Sequence, residues 1–105
     1  MVQEKPAEEI LSGYQWVRTT GTPISLNTAP AGGAAIPLGC REVFVQADPD
    51  NVNVVAVGAI NCAVGPPSIG GQLAPGASRV LAIDDVSKLF VNGTTPDAVI
   101  WDALR

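Results

Sequence analysis

Arg41-Glu-Val-Phe-Val-Gln-Ala47, then Asp48-Pro-Asp-Asn51, then Val52-Asn-Val-Val-Ala-Val-Gly-Ala-Ile60 is the stretch that decides the fold. In its first part Val43, Val45 and Ala47 recur every second residue, the period of a strand with one buried side. Its last part is rich in β-branched residues, which suit a pleated surface. Between them stands a Pro-Asp-Asn cluster, the chemistry of a tight turn. Two strands joined by such a turn read as an antiparallel pair.

The same grammar extends toward the C-terminus. Gly65-Pro-Pro-Ser-Ile-Gly-Gly71 is a loop, and Pro75-Gly76 sets a turn before the run Ser78–Ile83. Asp84-Asp-Val-Ser-Lys88 reads as one helical turn with Asp84 as its cap. Leu89–Val91 and Ala98–Leu104 are further strands, with Asn92-Gly93 between them as a tight turn of positive φ. Upstream, Pro23–Thr28 alternates, and Ala29–Gly39 is a loop of small residues. Six to eight short strands with turn signals every 8–12 residues predict an all-β chain, an antiparallel β-sandwich or jelly-roll-like barrel. The core is expected to hold Val43, Val45, Val54, Leu81, Ile83, Leu89, Val91, Ile100 and Trp101, with Phe44 and Phe90 also buried.

The N-terminal segment reads differently. Pro6 suits the first position of a helix, and Glu8 and Glu9 suit its positive end. Ala7, Ile10, Leu11 and Tyr14 then share one face. The expectation is a short helical arm over residues 1–20 and a sandwich domain over 21–105. The arm is expected to dock either on its own domain or on a neighbouring subunit; in the second case it would carry Ile10, Leu11, Tyr14 and Trp16 as partner-binding anchors, since large aromatics dominate interface energetics. Gly32, Gly33, Pro66 and Pro67 are also expected to bind a partner, in loops that would lie flat against another backbone.

Composition narrows the function. The chain has 105 residues, 47% hydrophobic and only 15% charged, with net charge −4. Ordinary domains are about 25% charged, and a weakly charged surface is poor at keeping proteins apart. The six basic residues are scattered, which argues against nucleic acid as a partner. No apolar run suffices to span a bilayer, so no membrane partner is expected. The start Met-Val-Gln-Glu-Lys-Pro has no apolar leader core, which predicts synthesis in a cytoplasm. There is no histidine, which removes Ser-His and Cys-His nucleophile pairs and the usual zinc sites. Gly32-Gly33 and Gly70-Gly71 lack a phosphate-loop pattern. Counted as a calcium loop from Asp48, the fifth and sixth positions hold Val52 and Asn53 instead of a ligand and glycine. The expectation is a non-enzymatic protein with no catalytic residue, metal or cofactor. Cys40 and Cys62 read as two free, buried thiols, while their separation would permit a bridge if two strands brought them together.

Leu73-Ala-Pro-Gly-Ala-Ser78, then Val80-Leu-Ala-Ile-Asp-Asp-Val-Ser-Lys-Leu-Phe-Val91, then Gly93 resembles the small β-sandwich virion proteins of bacteriophages, with Val43–Val57 as the preceding hairpin. The resemblance spans Glu42 to Val99; Thr94-Thr-Pro-Asp97 departs from the shorter turn expected there. It implies a capsid decoration (cement) protein that binds the major capsid protein and itself as a homotrimer. The alternative is a neck, tail, or receptor- or carbohydrate-binding module. It implies no catalytic residue.

Overall fold

The structure is a computed structural model that describes residues 9–29 and 34–105. Among the described residues, eight strands form two four-stranded antiparallel sheets. They are β1 (Ile10–Trp16), β2 (Ile24–Ser25), β3 (Glu42–Ala47), β4 (Val55–Gly58), β5 (Gly71–Leu73), β6 (Ser78–Leu81), β7 (Phe90–Asn92) and β8 (Ala98–Leu104). Sheet A has the order β1-β8-β3-β6 and sheet B the order β2-β7-β4-β5. Every connection crosses between the sheets except the β4–β5 hairpin. This winding is that of an eight-stranded jelly roll.

The expected helix at the N-terminus is corrected here. Ile10–Trp16 is an extended strand paired along its full length with β8, from Ile10 opposite Leu104 to Trp16 opposite Ala98. An eight-residue amphipathic run gains little as an isolated helix, and alternation won instead. Gln15 and Val17 are buried while Tyr14 and Trp16 are exposed. Residues 1–8 lie outside the described residues. Residues 10–16 therefore form an edge strand of the sandwich.

The core fills the space between the sheets. Sheet A contributes Val43, Val45, Val99, Trp101 and Ala103; sheet B and the connections contribute Val55, Val57, Leu73, Val91, Val17, Leu26, Val86 and Leu89. Leu81 and Ile83 pack against this cluster half-buried. Two core expectations fail by one residue of parity. Val54 precedes β4 and is 36% exposed, while Val55 and Val57 point inward; Ile100 is 37% exposed on the outside of sheet A. Phe44 and Phe90 also face outward and are only half-buried. In runs apolar on both faces, hydrophobicity alone does not fix which side is the core.

Local polar chemistry sets the corners. Asp48 opens its turn by accepting the Asp50 amide at 2.9 Å, and its carbonyl accepts the Asn51 amide at 2.9 Å. The Asn51 side chain then pairs with β8 as a strand would, exchanging two hydrogen bonds of 2.8 Å with the Ala98 main chain. The buried Asp97 carboxylate takes the amides of Val52 and Asn53. The Pro75-Gly76 turn forms as expected, with Gly76 at φ 83° and the Ala77 amide donating to Ala74. The helical turn is a 3-10 turn over Val86–Lys88, and its cap is Asp85, not Asp84. The Asn92-Gly93 turn is also corrected: neither residue has positive φ. Asn92 ends β7 and is buried, and Gly93 is packed so closely on Val55 that a Cβ would stand 3.1 Å from its Cγ1.

Candidate functional site

The two outer faces of the sandwich have opposite fates. On sheet B the outward residues of the central strands form a row, Asn92–Ala56–Gln72. Ala56 and Asn92 are nevertheless buried, because the β4–β5 loop folds back over them. Asn92 Nδ2 donates to the Cys62 carbonyl at 2.9 Å, and Gln72 Nε2 donates to the Ala63 carbonyl at 3.0 Å. A bridge between Ala63 and Ile69 closes the loop on itself. Sheet B is thus roofed by its own chain.

Sheet A carries no such cover among the described residues. Its register sets three rows across the outer face. One is Ile10–Leu104–Glu42, the next Ser12–Asp102–Phe44–Val80, and the third Tyr14–Ile100–Gln46–Ser78. Trp16 extends the face at one corner. Ile10 is 63% exposed, Val80 58% and Tyr14 56%. An antiparallel sheet facing water normally alternates to polar side chains on that side. Here the wet side is mostly apolar. Its formal negative charges are Glu42 and Asp102, and Ser12 Oγ donates to the Asp102 carboxylate. The Arg18 guanidinium lies 5.9 Å over the Trp16 ring, near enough for cation–π attraction.

The expected site residues therefore divide. Ile10, Tyr14 and Trp16 come together on sheet A. Leu11 points the other way, half-buried toward the interior. Pro66 and Pro67 sit elsewhere, in the β4–β5 loop. They border a cleft of about 390 Å³ shared with Thr20, Gly21, Asn92 and Thr94. Its described lining has no charged and no aromatic side chain. Gly32 and Gly33 lie outside the described residues. Val80, Ile100, Phe44 and Leu104 were missed as surface residues. The signal for Val80 and Phe44 was available, since strands with one buried face place alternate residues outside.

Reactive chemistry is weak at the thiols. Both cysteines are free. Burial pushes the Cys62 thiol above its ordinary pKa, and its sulfur points at the carbonyls of Phe90 and Ala56. Burial, followed by the nearby Asp85 and Asp84, raises Cys40 as well, and its thiol donates to the Ile83 carbonyl at 3.1 Å. Such thiols are poor nucleophiles near neutrality. Among the described residues no group of three or more potential metal ligands comes together. No helix among them is long and apolar enough to cross a membrane. Comparison with family models, with curated proteins and with solved structures finds no match.

Proposed function

We propose that this chain is a structural virion protein of a bacteriophage, a decoration subunit that stabilises the capsid shell by adhesion to the major capsid protein. The observation that carries the reading is the uncovered outer face of sheet A. Ile10, Tyr14 and Val80 keep more than half of their surface exposed in the monomer and Ile100 more than a third, with Phe44 and Leu104 half-buried beside them, so this apolar area is available to a neighbour. Each square ångström of apolar surface removed from water contributes roughly 25 cal/mol. A standard interface covers about 800 Å² on each partner. The complementary surface on the shell is apolar and offers a donor to Asp102. Repetition over a lattice multiplies modest individual contacts. The jelly roll is a scaffold used by capsid proteins among others, which supports the reading without deciding it.

The test is rebinding. Purified protein is added to shells stripped of it, and occupancy and disruption temperature are measured. Rebinding with a raised disruption temperature is expected, and its loss is expected in a Tyr14→Glu, Ile100→Glu double variant that still folds. Stripped shells that take up no protein sink the proposal.

A further inference from the structure

We propose that the open edge of β1 pairs with β1 of a second copy, antiparallel, about a two-fold axis at Gly13. The four sheet edges are not equivalent. β2 is two residues long and β5 three. β6 has four residues and turns Arg79 inward, where its guanidinium donates to the Val57 carbonyl at 3.3 Å across the gap between the sheets. Short edges and inward charges are the devices that keep sheets from pairing with strangers. β1 has none of them. It runs seven residues, Ile-Leu-Ser-Gly-Tyr-Gln-Trp, without a charge or a proline.

The register says which groups are on offer. The Val17 amide donates to Asp97 at 2.8 Å and the Arg105 amide to Glu9 at 3.1 Å. Odd-numbered residues of this segment therefore make the ladder with β8. In an antiparallel pair the alternate residues turn their N–H and C=O away. Those are Ile10, Ser12, Tyr14 and Trp16. Among the described residues none of them makes a backbone hydrogen bond outside the β8 ladder. The Trp16 carbonyl accepts the Gln15 side-chain amide at 2.8 Å, which leaves it a second lone pair.

A two-fold axis at Gly13 uses the whole strand. It sets Ile10 opposite Trp16 of the second copy and Ser12 opposite Tyr14, each pair exchanging two main-chain hydrogen bonds. All eight of these side chains lie on the same, outer face, so the apolar surface of one sheet continues into the next. An aromatic ring beside a β-branched side chain is a favourable cross-strand pair. Gly13 meets Gly13 at the axis, where closely spaced backbones suit a residue with no side chain. A ring of three built through sheet edges, in contrast, needs two different complementary edges, and the other three are short or blunted. Self-pairing of β1 therefore points to a dimer.

The measurements are solution mass and amide exchange on the full chain. Light scattering is expected to give twice the 10.8 kDa chain mass. In the dimer, amides 10 through 16 are all protected, whereas a free edge leaves 10, 12, 14 and 16 fast. Ser12→Pro removes an amide that points outward, so it spares the ladder to β8 and is expected to halve the mass while the circular dichroism stays native. Should that variant fail to fold, Tyr14→Lys places a charge on the same edge and is expected to do the same. A wild-type mass of one or three chains, or a dimer whose even-numbered amides exchange fast, overturns the proposal. Shell rebinding is a separate readout: a monomer that still coats shells refutes only the dimer, and a dimer that coats none refutes only the virion reading.

Discussion

Gly13 on β1 lies directly opposite Trp101 on β8, and the Trp101 indole occupies the space where a Cβ at position 13 would stand. The indole Nε1 reaches past it to donate to the Leu26 carbonyl at 3.0 Å. One ring thus joins the edge strand, the core and the β2–β3 connection. Gly13→Ala is expected to destabilise the fold by about 1–3 kcal/mol, the usual penalty of overpacking. Chemical denaturation measures it. Because the two sites touch, Trp101→Phe in the same chain is expected to relieve part of the Gly13→Ala loss, a non-additivity that a double-mutant cycle reads.

Asn51 acts as a surrogate strand residue. Asn51→Ala leaves the buried Ala98 amide without its partner and weakens the entry into β8. An unpaired buried polar group costs about 1–3 kcal/mol. Asn51→Asp keeps an acceptor for that amide but loses the donor to the carbonyl, which also takes the Asp48 amide at 3.0 Å. Its thermal midpoint is expected between those of wild type and Asn51→Ala.

Acid sensitivity should trace in part to Asp85. The Leu38 amide, then the Ser87 hydroxyl and amide, favour its ionised form and hold its pKa below the usual carboxylate value of 3.8. A group whose folded pKa is lowered stabilises fully above its unfolded pKa and loses that contribution as pH falls through the folded one. Thermal midpoints recorded from pH 6 downward are expected to show this loss beginning below about pH 4. Asp85→Asn should be less stable at pH 6 and should have a flatter acid limb. An unchanged limb removes Asp85 from the account.

The thiols give a test of burial. Neither cysteine is bridged. Alkylation of the native protein at neutral pH is expected to be slow at both, and slower at the buried Cys62 than at the half-buried Cys40. Both should react promptly in denaturant. Mass spectrometry counts the adducts, and rapid labelling of Cys62 in the native state contradicts the burial of its side chain between the β4–β5 loop and sheet B.

Deletion of residues 1–20 discriminates between an arm and a strand. The deletion removes all of β1 and the buried Val17, and it uncovers Trp101. The truncated chain is expected to lose its cooperative melt and its near-ultraviolet dichroism. A native-like melt in that variant would mean that sheet A is complete without its edge.

The eight-stranded sandwich was legible because turn chemistry and period-two alternation agree along most of the chain. Asp48-Pro-Asp-Asn and Pro75-Gly76 fix corners through backbone geometry that few other residues supply. The first strand was hidden because Ile10, Leu11 and Tyr14 satisfy a helical period as well as Tyr14 and Trp16 satisfy a strand period; the β8 partner that decides between them is some ninety residues away. The outer face of sheet A was half visible: Ile10, Tyr14 and Trp16, three of the four residues that β1 places there, were expected to be exposed together, but on the wrong kind of element. Val54 and Ile100 were misplaced because their neighbours Val55 and Val99 are equally apolar. The roof over sheet B left no signal of its own, since Asn92 and Gln72 look like ordinary polar strand residues until the loop carbonyls that they hold are in place.

That roof has a consequence for assembly. A slab adhesive on both sides can stack without limit and grow into fibres. With the central strands of sheet B covered by the β4–β5 loop, sheet-on-sheet stacking has one bare strand face to use, and a contact through that face closes as a pair or a single coat instead of a stack.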